Sequence, residues 1–291
     1  MPDISKSRSK AYLFLLLNTA LWGCAAPIIK HSLDFTSPEV FLFYRYLIAT
    51  FIFFPIFLVH RAHMVNKPDL KKLIILALLG TPLTLLPLFY GLKTTTSIEA
   101  SILFSSSPIF TILGGIIYLN EKLSKNEWRG ILIALFGTLL IAIQPFFSGQ
   151  GIGSLSLKGN LLILVSNIIW STFLIKSKKD HADPISLTFL SFLISIPFFY
   201  LAITLEHTGL NLNPQAIPGI IYMAIGGSIL GFWAYQEGQK RIEAAEAAIF
   251  TYLQPAFAIP ISLLWLKEPM SPVTIISTII IISGVYLSER R

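Results

Sequence analysis

Residues 88–141 read LFYGLKTTTSIEASILFSSSPIFTILGGIIYLNEKLSKNEWRGILIALFGTLLI, and residues 236–287 read QEGQKRIEAAEAAIFTYLQPAFAIPISLLWLKEPMSPVTIISTIIIISGVYL. The second stretch answers the first 147 residues later. Gly91 matches Gly238, Glu99 matches Glu246, Pro108 matches Pro255, Glu121 matches Glu268 and Gly137 matches Gly284, all in that register. A spacing held at so many positions marks an internal duplication. What the duplication means depends on what is repeated.

The chain has 291 residues, of which 54% are hydrophobic and 13% charged, with mean hydropathy +0.71. A soluble domain carries about 25% charged residues, so this composition belongs to a polytopic membrane protein. Apolar blocks recur at the length needed to cross about 30 Å of hydrocarbon. Ten are read: Ala11–Ile29, Pro38–Val59, Leu73–Leu92, Ile98–Leu119, Trp128–Phe147, Leu157–Ile175, Pro184–Leu205, Ile217–Gly238, Ala244–Leu266 and Pro272–Leu287. The expected fold is all-α. The single cysteine, Cys24, lies in an apolar run and permits no intrachain disulfide. The net charge of +7 is spread over loops between apolar blocks, which suits anionic lipid better than nucleic acid. The polar, basic start runs into an apolar stretch too long for a signal-peptide core, so an uncleaved first helix is expected.

The basic residues set the orientation. With a cytoplasmic N-terminus, 17 of the 22 Lys and Arg fall in cytoplasmic segments and four on the other side, leaving Arg45 inside a helix. The positive-inside rule therefore predicts ten transmembrane helices with both ends cytoplasmic. Five helices in each half is an odd number, so the second half enters the membrane upside down. Inverted repeats of this kind are a device of secondary transporters, which use them for alternating access. The expected organisation is a tail (1–10), a first repeat (11–147), a connecting loop (148–157) and a second repeat (158–288).

Further stretches add to the pattern: NTALWGCAAPIIK in helix 1, SPEVFLFYRYLIATFIFFP in helix 2 and GNLLILVSNIIWSTF in helix 6. Together with the two opening stretches, they make the chain resemble the EamA-type families of the drug/metabolite transporter superfamily. No single motif is highly specific; the signal is ten helices in order, twice over. The resemblance implies a ten-helix fold of two five-helix inverted repeats. It also implies export or exchange of small polar or amphipathic metabolites, through a central cavity lined mainly by helices 1, 3, 4, 6, 8 and 9.

Candidate functional residues follow from polar groups in apolar surroundings. Arg45 is the one basic residue clearly within a helix, and an intramembrane Arg is suited to a substrate carboxylate or phosphate. Polar and aromatic side chains cluster on the implied cavity helices: Asn18 and Trp22, Phe89 and Tyr90, Ser105 and Ser106, Asn167 and Trp170, Trp233, Tyr235 and Gln236, and Thr251, Tyr252 and Gln254. Hydroxyls and amides in hydrocarbon seek partners inside the bundle. Pro108 and Pro255 each remove a helical hydrogen bond and are candidate hinges. Lys93 with Glu99, and Lys240 with Glu246, form equivalent pairs on opposite faces and are candidate gates. Glu237 is a candidate site for a coupling proton.

The five Asp and five His fall in expected tails or loops, and no metal, phosphate-loop or nucleophile motif appears. No cofactor, metal site or enzymatic role is expected. The sequence reads as a secondary transporter of the cytoplasmic membrane, exporting an amino acid or related solute as its two halves rock about a central site. Protons are a possible coupling ion, and the partners are a small-molecule substrate and the lipid bilayer. Multidrug efflux, sugar-phosphate or nucleotide-sugar exchange, and a non-transporting receptor or enzyme stay open as alternatives. Efflux of lipophilic cations would call for a deep carboxylate, and sugar phosphates for several cavity cations.

Overall fold

The computed structural model describes residues 4–62, 69–119, 124–147, 155–180, 183–239, 241 and 250–289. Among these the regular elements are all helical. Span 1 comprises Ile4–Gly23 and Ala25–Ser32, span 2 Pro38–Ala62, and span 3 Leu70–Gly80 with Pro82–Thr94. Span 4 comprises Ser97–Ser105 and Ser107–Leu119, span 5 Lys125–Ala142, span 6 Leu155–Lys179 and span 7 Pro184–Leu205. Span 8 joins Ile217–Tyr222, a π-helical stretch Met223–Leu230, and Gly231–Gln239. Span 9 comprises a 3-10 turn Phe250–Leu253 and the helix Gln254–Leu264, and span 10 is Pro272–Glu289.

Seven of these are long and apolar enough to cross a membrane unaided. Span 5 carries Lys125, Glu127 and Arg129 in its first turns, and the described parts of spans 9 and 10 are shorter. Large apolar side chains face outward; Phe51 is 83% and Leu264 82% exposed. Water would disfavour such a surface, and lipid solvates it. The chain is a multi-pass membrane protein.

Local chemistry explains the breaks. Asp69 and Asp183 accept backbone N–H bonds at the starts of spans 3 and 7, and Ser124 with Glu127 forms a capping box on span 5. Span 3 breaks at Thr81, just before Pro82. Span 4 breaks at Ser106, two residues before Pro108, and span 9 changes from 3-10 to α just before Pro255. Positions 106 and 253 are one repeat register apart, so the matched prolines disturb matched places. His31 and His60, expected in loops, fall instead in the last turns of their helices.

The most extensive packing joins spans 5 and 10, 3 and 6, 1 and 8, and 2 and 7, and a further seam joins 4 and 9. Every one of these seams links one half of the chain to the other. Exchanging the halves maps 5·10, 2·7 and 4·9 onto themselves and turns 3·6 into 1·8. This is the packing expected of two inverted five-helix repeats. Small residues let the seams close. A Cβ at Gly284 would lie 2.6 Å from the Gly130 carbonyl oxygen, and one at Gly137 would lie 3.0 Å from that of Ser277. We refer to the end carrying Ile4 and Glu289 as the near face and the opposite end as the far face.

Candidate functional site

Spans 1, 2, 3, 4, 6, 8 and 9 converge on a central cavity of about 810 Å³, its open mouth included. Spans 5, 7 and 10 contribute no lining residue. The cation in its wall is Arg45, which is 4% exposed. Its Nε donates to Ser228 Oγ at 2.9 Å, and its guanidinium carbon stands 5.0 Å from the Tyr46 ring centre. Among the described residues its Nη groups meet no acceptor and no carboxylate lies within salt-bridge reach. A buried charge without a counter-ion is costly.

The π-helical stretch explains why Ser228 is in place. Inserting the wider turn at Met223–Leu230 displaces backbone carbonyls from regular pairing. Span 1 adds donors here: Trp22 Nε1 bonds the Gly227 carbonyl at 2.9 Å and Asn18 Nδ2 the Gly231 carbonyl at 2.9 Å. A Cβ at Gly227 would sit 2.5 Å from Met223 Cε, so that flexible side chain would have to shift. Trp22 then anchors an aromatic wall. Its ring stacks on Tyr235 (5.8 Å between centroids) and meets Phe232 and Trp170 edge-on.

Five sequence candidates line the cavity: Trp22, Arg45, Phe89, Trp170 and Gln254. Gln254 is 3% exposed, and its Nε2 finds no partner. The others stand elsewhere. Asn18 is committed to span 8, as above. Asn167 bonds the Leu103 carbonyl at 2.7 Å and so ties span 6 to span 4. The hydroxyls of Ser105 and Ser106 return to carbonyls of their own helix, those of Ile102 and Leu103. Tyr90 turns from the cavity and donates to Glu39 at 2.9 Å. Trp233 is 49% exposed and packs edge-on against Phe14. Tyr235 supports Trp22 from behind, and Thr251 and Tyr252 are half-buried on the 3-10 turn of span 9. The Gln236 side chain, Lys240 and Glu246 lie outside the described residues.

The expected Lys93–Glu99 pair is not formed. Lys93 is exposed, whereas Glu99 is 6% exposed and accepts from Thr95 Oγ1 (2.9 Å) and Asn160 Nδ2 (2.8 Å). Lys93 lies in the last turn of span 3 and Glu99 in the first turn of span 4, where it is buried. The far face is tied by other charges. Lys30 donates to the carbonyls of Leu92, Lys93 and Thr95, closing the C-terminal end of span 3. Glu268 accepts from the Ser97 and Ile98 N–H groups at 2.9 and 3.1 Å and from Ser97 Oγ at 2.8 Å. A carboxylate on the N-terminus of span 4 is favoured by its dipole and unpaired N–H groups. Glu237, the expected proton site, pairs with Arg241 at 2.8 Å.

Sequence reasoning missed Tyr46, Thr84, Ser101, Met223 and Phe232 in the wall. Tyr46 could have been suspected from its position beside Arg45. Phe232 is next to the chosen Trp233, and the helix rotation of about 100° per residue that separates them is not written in composition.

Residues 9–143 and 157–290 each match the EamA-like transporter family. An uncharacterized transporter of Archaeoglobus fulgidus is 27% identical over 287 residues, covering 97% of this chain and 99% of that one. The uncharacterized transporter YdfC of Bacillus subtilis is 26% identical, covering 92% and 87%. A probable amino-acid metabolite efflux pump of Escherichia coli is 26% identical, covering 97% and 95%. A solved crystal structure superposes with a TM-score of 0.70 over 97% of both chains, at 18% identity, and so shares the fold.

Proposed function

Because the chain belongs to the EamA-like transporter family, we propose that it is a secondary transporter exporting a small metabolite, an amino acid or related amphipathic solute, by alternating access. The observation that carries this reading is Arg45: a buried cation with unmet donors, in a cavity at the meeting point of two inverted repeats. The name of the Escherichia coli relative supports the substrate class.

In this reading the near face is cytoplasmic, since most basic residues gather there. The Lys30 and Glu268 contacts act as the far-face gate, broken when that side opens. The breaks before Pro108 and Pro255 are the hinges. Coupling to protons would use Glu99, which is buried and accepts only neutral donors, rather than Glu237, which Arg241 already holds.

Purified protein in proteoliposomes tests the proposal. Counterflow of radiolabelled amino acids and related acids should appear with the wild-type protein and fall strongly with Arg45→Ala. Absence of flux over a broad panel would remove the transport reading. Under an imposed pH gradient, Glu99→Gln should abolish uphill movement while leaving counterflow; unchanged uphill movement would remove Glu99 from the coupling role.

A further inference from the structure

We infer that the cavity selects a small monocarboxylate with an apolar body, held as the anion in preference to the zwitterionic amino acid. It rests on the transporter reading only in that the ligand is called a substrate; the binding chemistry stands on the wall itself. Three wall residues present N–H groups that meet no acceptor among the described residues: the Arg45 Nη groups, the Gln254 amide nitrogen and the Trp170 indole. Gln254 is 97% and Arg45 96% buried, from relative exposures of 3% and 4%. The Tyr46 hydroxyl is likewise buried without a partner among the described residues, whereas other polar groups of the wall are engaged. Thr84 donates to the Leu79 carbonyl, Ser101 to that of Ile98, and Trp22 to that of Gly227.

A carboxylate supplies what these donors lack. It is acceptor-only, offers about four lone-pair positions and fits the guanidinium fork. One carboxylate also balances the single cation. A phosphate dianion or a dicarboxylate would bring a second charge into a low-dielectric site with nothing to oppose it. The ammonium of an amino acid meets the same difficulty with opposite sign, because no Asp or Glu among the described residues lines the wall. The nearby carboxylates face other groups: Glu39 is bonded by Tyr90, and Glu99 by Thr95 and Asn160. Leu88, Phe89 and Phe232 give the remaining wall a surface suited to hydrocarbon. The fitting ligands are thus 2-oxo, 2-hydroxy or N-acylated relatives of apolar amino acids.

The test uses ligands that share one body. Binding of 4-methyl-2-oxopentanoate, leucine and 3-methylbutylamine, and of the matching phenyl series, is followed by quenching of Trp22 and Trp170 fluorescence in the full-length detergent-solubilised protein. The acids should bind about tenfold or more tightly than the zwitterions, and the amines least. Arg45→Gln should weaken the acids by about tenfold or more and erase the preference. Gln254→Leu, which leaves the cation in place, should weaken them several-fold and serves if Arg45→Gln does not fold. Equal binding of acid and zwitterion, tighter binding of the amine, no binding of either acid, or acid binding unaffected by a folded variant would each overturn the inference. Flux separates the two readings. Arg45-dependent acid binding without flux keeps the site and removes transport. Zwitterion flux that ignores Arg45 keeps transport and removes the site.

Discussion

Where span 6 crosses span 3, Ser166 donates to the Thr84 carbonyl at 2.8 Å; where span 1 crosses span 8, Asn18 donates to the Gly231 carbonyl at 2.9 Å. Positions 84 and 231 are one repeat register apart, so the two crossings are the same joint seen from opposite faces. Gly80 and Gly227, again one register apart, both line the cavity. Beyond that the joints diverge. In one, the chain widens into a π-helix, Trp22 answers the Gly227 carbonyl and Arg45 reaches Ser228. In the other, the chain breaks at Thr81, the position matching Ser228, and the Trp170 indole meets no carbonyl. Duplication supplies the scaffold, and departures from it supply the chemistry. The Trp22 indole is paired with a carbonyl in one joint, and the Trp170 indole has no carbonyl partner among the described residues in the other.

The largest difference should come from glycine replacement at matched sites. A Cβ at Gly91 would lie 2.7 Å from the Gly159 carbonyl oxygen, whereas one at Gly238 would press first on the Leu15 side chain. Gly91→Ala should cost about 1–3 kcal/mol by overpacking against backbone, and Gly238→Ala clearly less, because Leu15 can change rotamer. Thermal unfolding in one detergent compares them; a Gly238 variant as damaged as the Gly91 variant would break the contrast. Next come the tryptophans. Trp22→Phe leaves the Gly227 carbonyl without its donor and should cost about 1–2 kcal/mol. Trp170→Phe should alter stability by no more than about 0.5 kcal/mol, yet weaken ligand binding. Reversal of that pattern would show that the indoles have been assigned to the wrong tasks.

Asn18→Ala and Ser166→Ala remove equivalent bonds and should each cost about 1 kcal/mol. Unequal losses would mean that the shared joint is shared in geometry only. The smallest effect belongs to the 2·7 seam, which the exchange of halves leaves in place. Burial acts to raise the Asp183 carboxyl, but hydrogen bonds from Ser186 and the facing His60, at 3.1 Å, outweigh it and hold it below the ordinary range. A carboxyl held down in the folded state adds stability above its unfolded pKa and loses it as pH falls through the folded value. Asp183→Asn should therefore lower the melting temperature slightly at pH 7, with the difference fading below about pH 4. A gap that persists in acid would discount the ionised carboxylate.

The spans, their inversion and Arg45 were all legible in the sequence, because apolar length, loop charge and a cation within an apolar run are one-dimensional signals. The cavity wall was only half legible. Phe89 faces in while Tyr90 bonds Glu39, and Phe232 faces in while Trp233 meets the outside. Neighbours in sequence point apart on a helix, and rotation is set by packing against other spans. The Lys93–Glu99 pairing failed for a related reason. Closeness in the chain suggested contact, while Lys30 and Glu268, remote in the chain, hold that face. The π-helix has no clear signature beyond the run of small residues Gly226, Gly227 and Ser228.

The 5·10, 3·6, 1·8, 2·7 and 4·9 seams all cross between halves, and this separates two ideas that a duplicated chain invites one to merge. The unit that was copied is not the unit that packs as one body. Sliding one half rigidly against the other would open every major contact at once, including the backbone-close approach of Gly284 to Gly130. The proposed alternating access would spare the closest seams by carrying spans of both halves together, span 1 with span 8 and span 3 with span 6. Inheritance divides the protein along its sequence; mechanics divides it across.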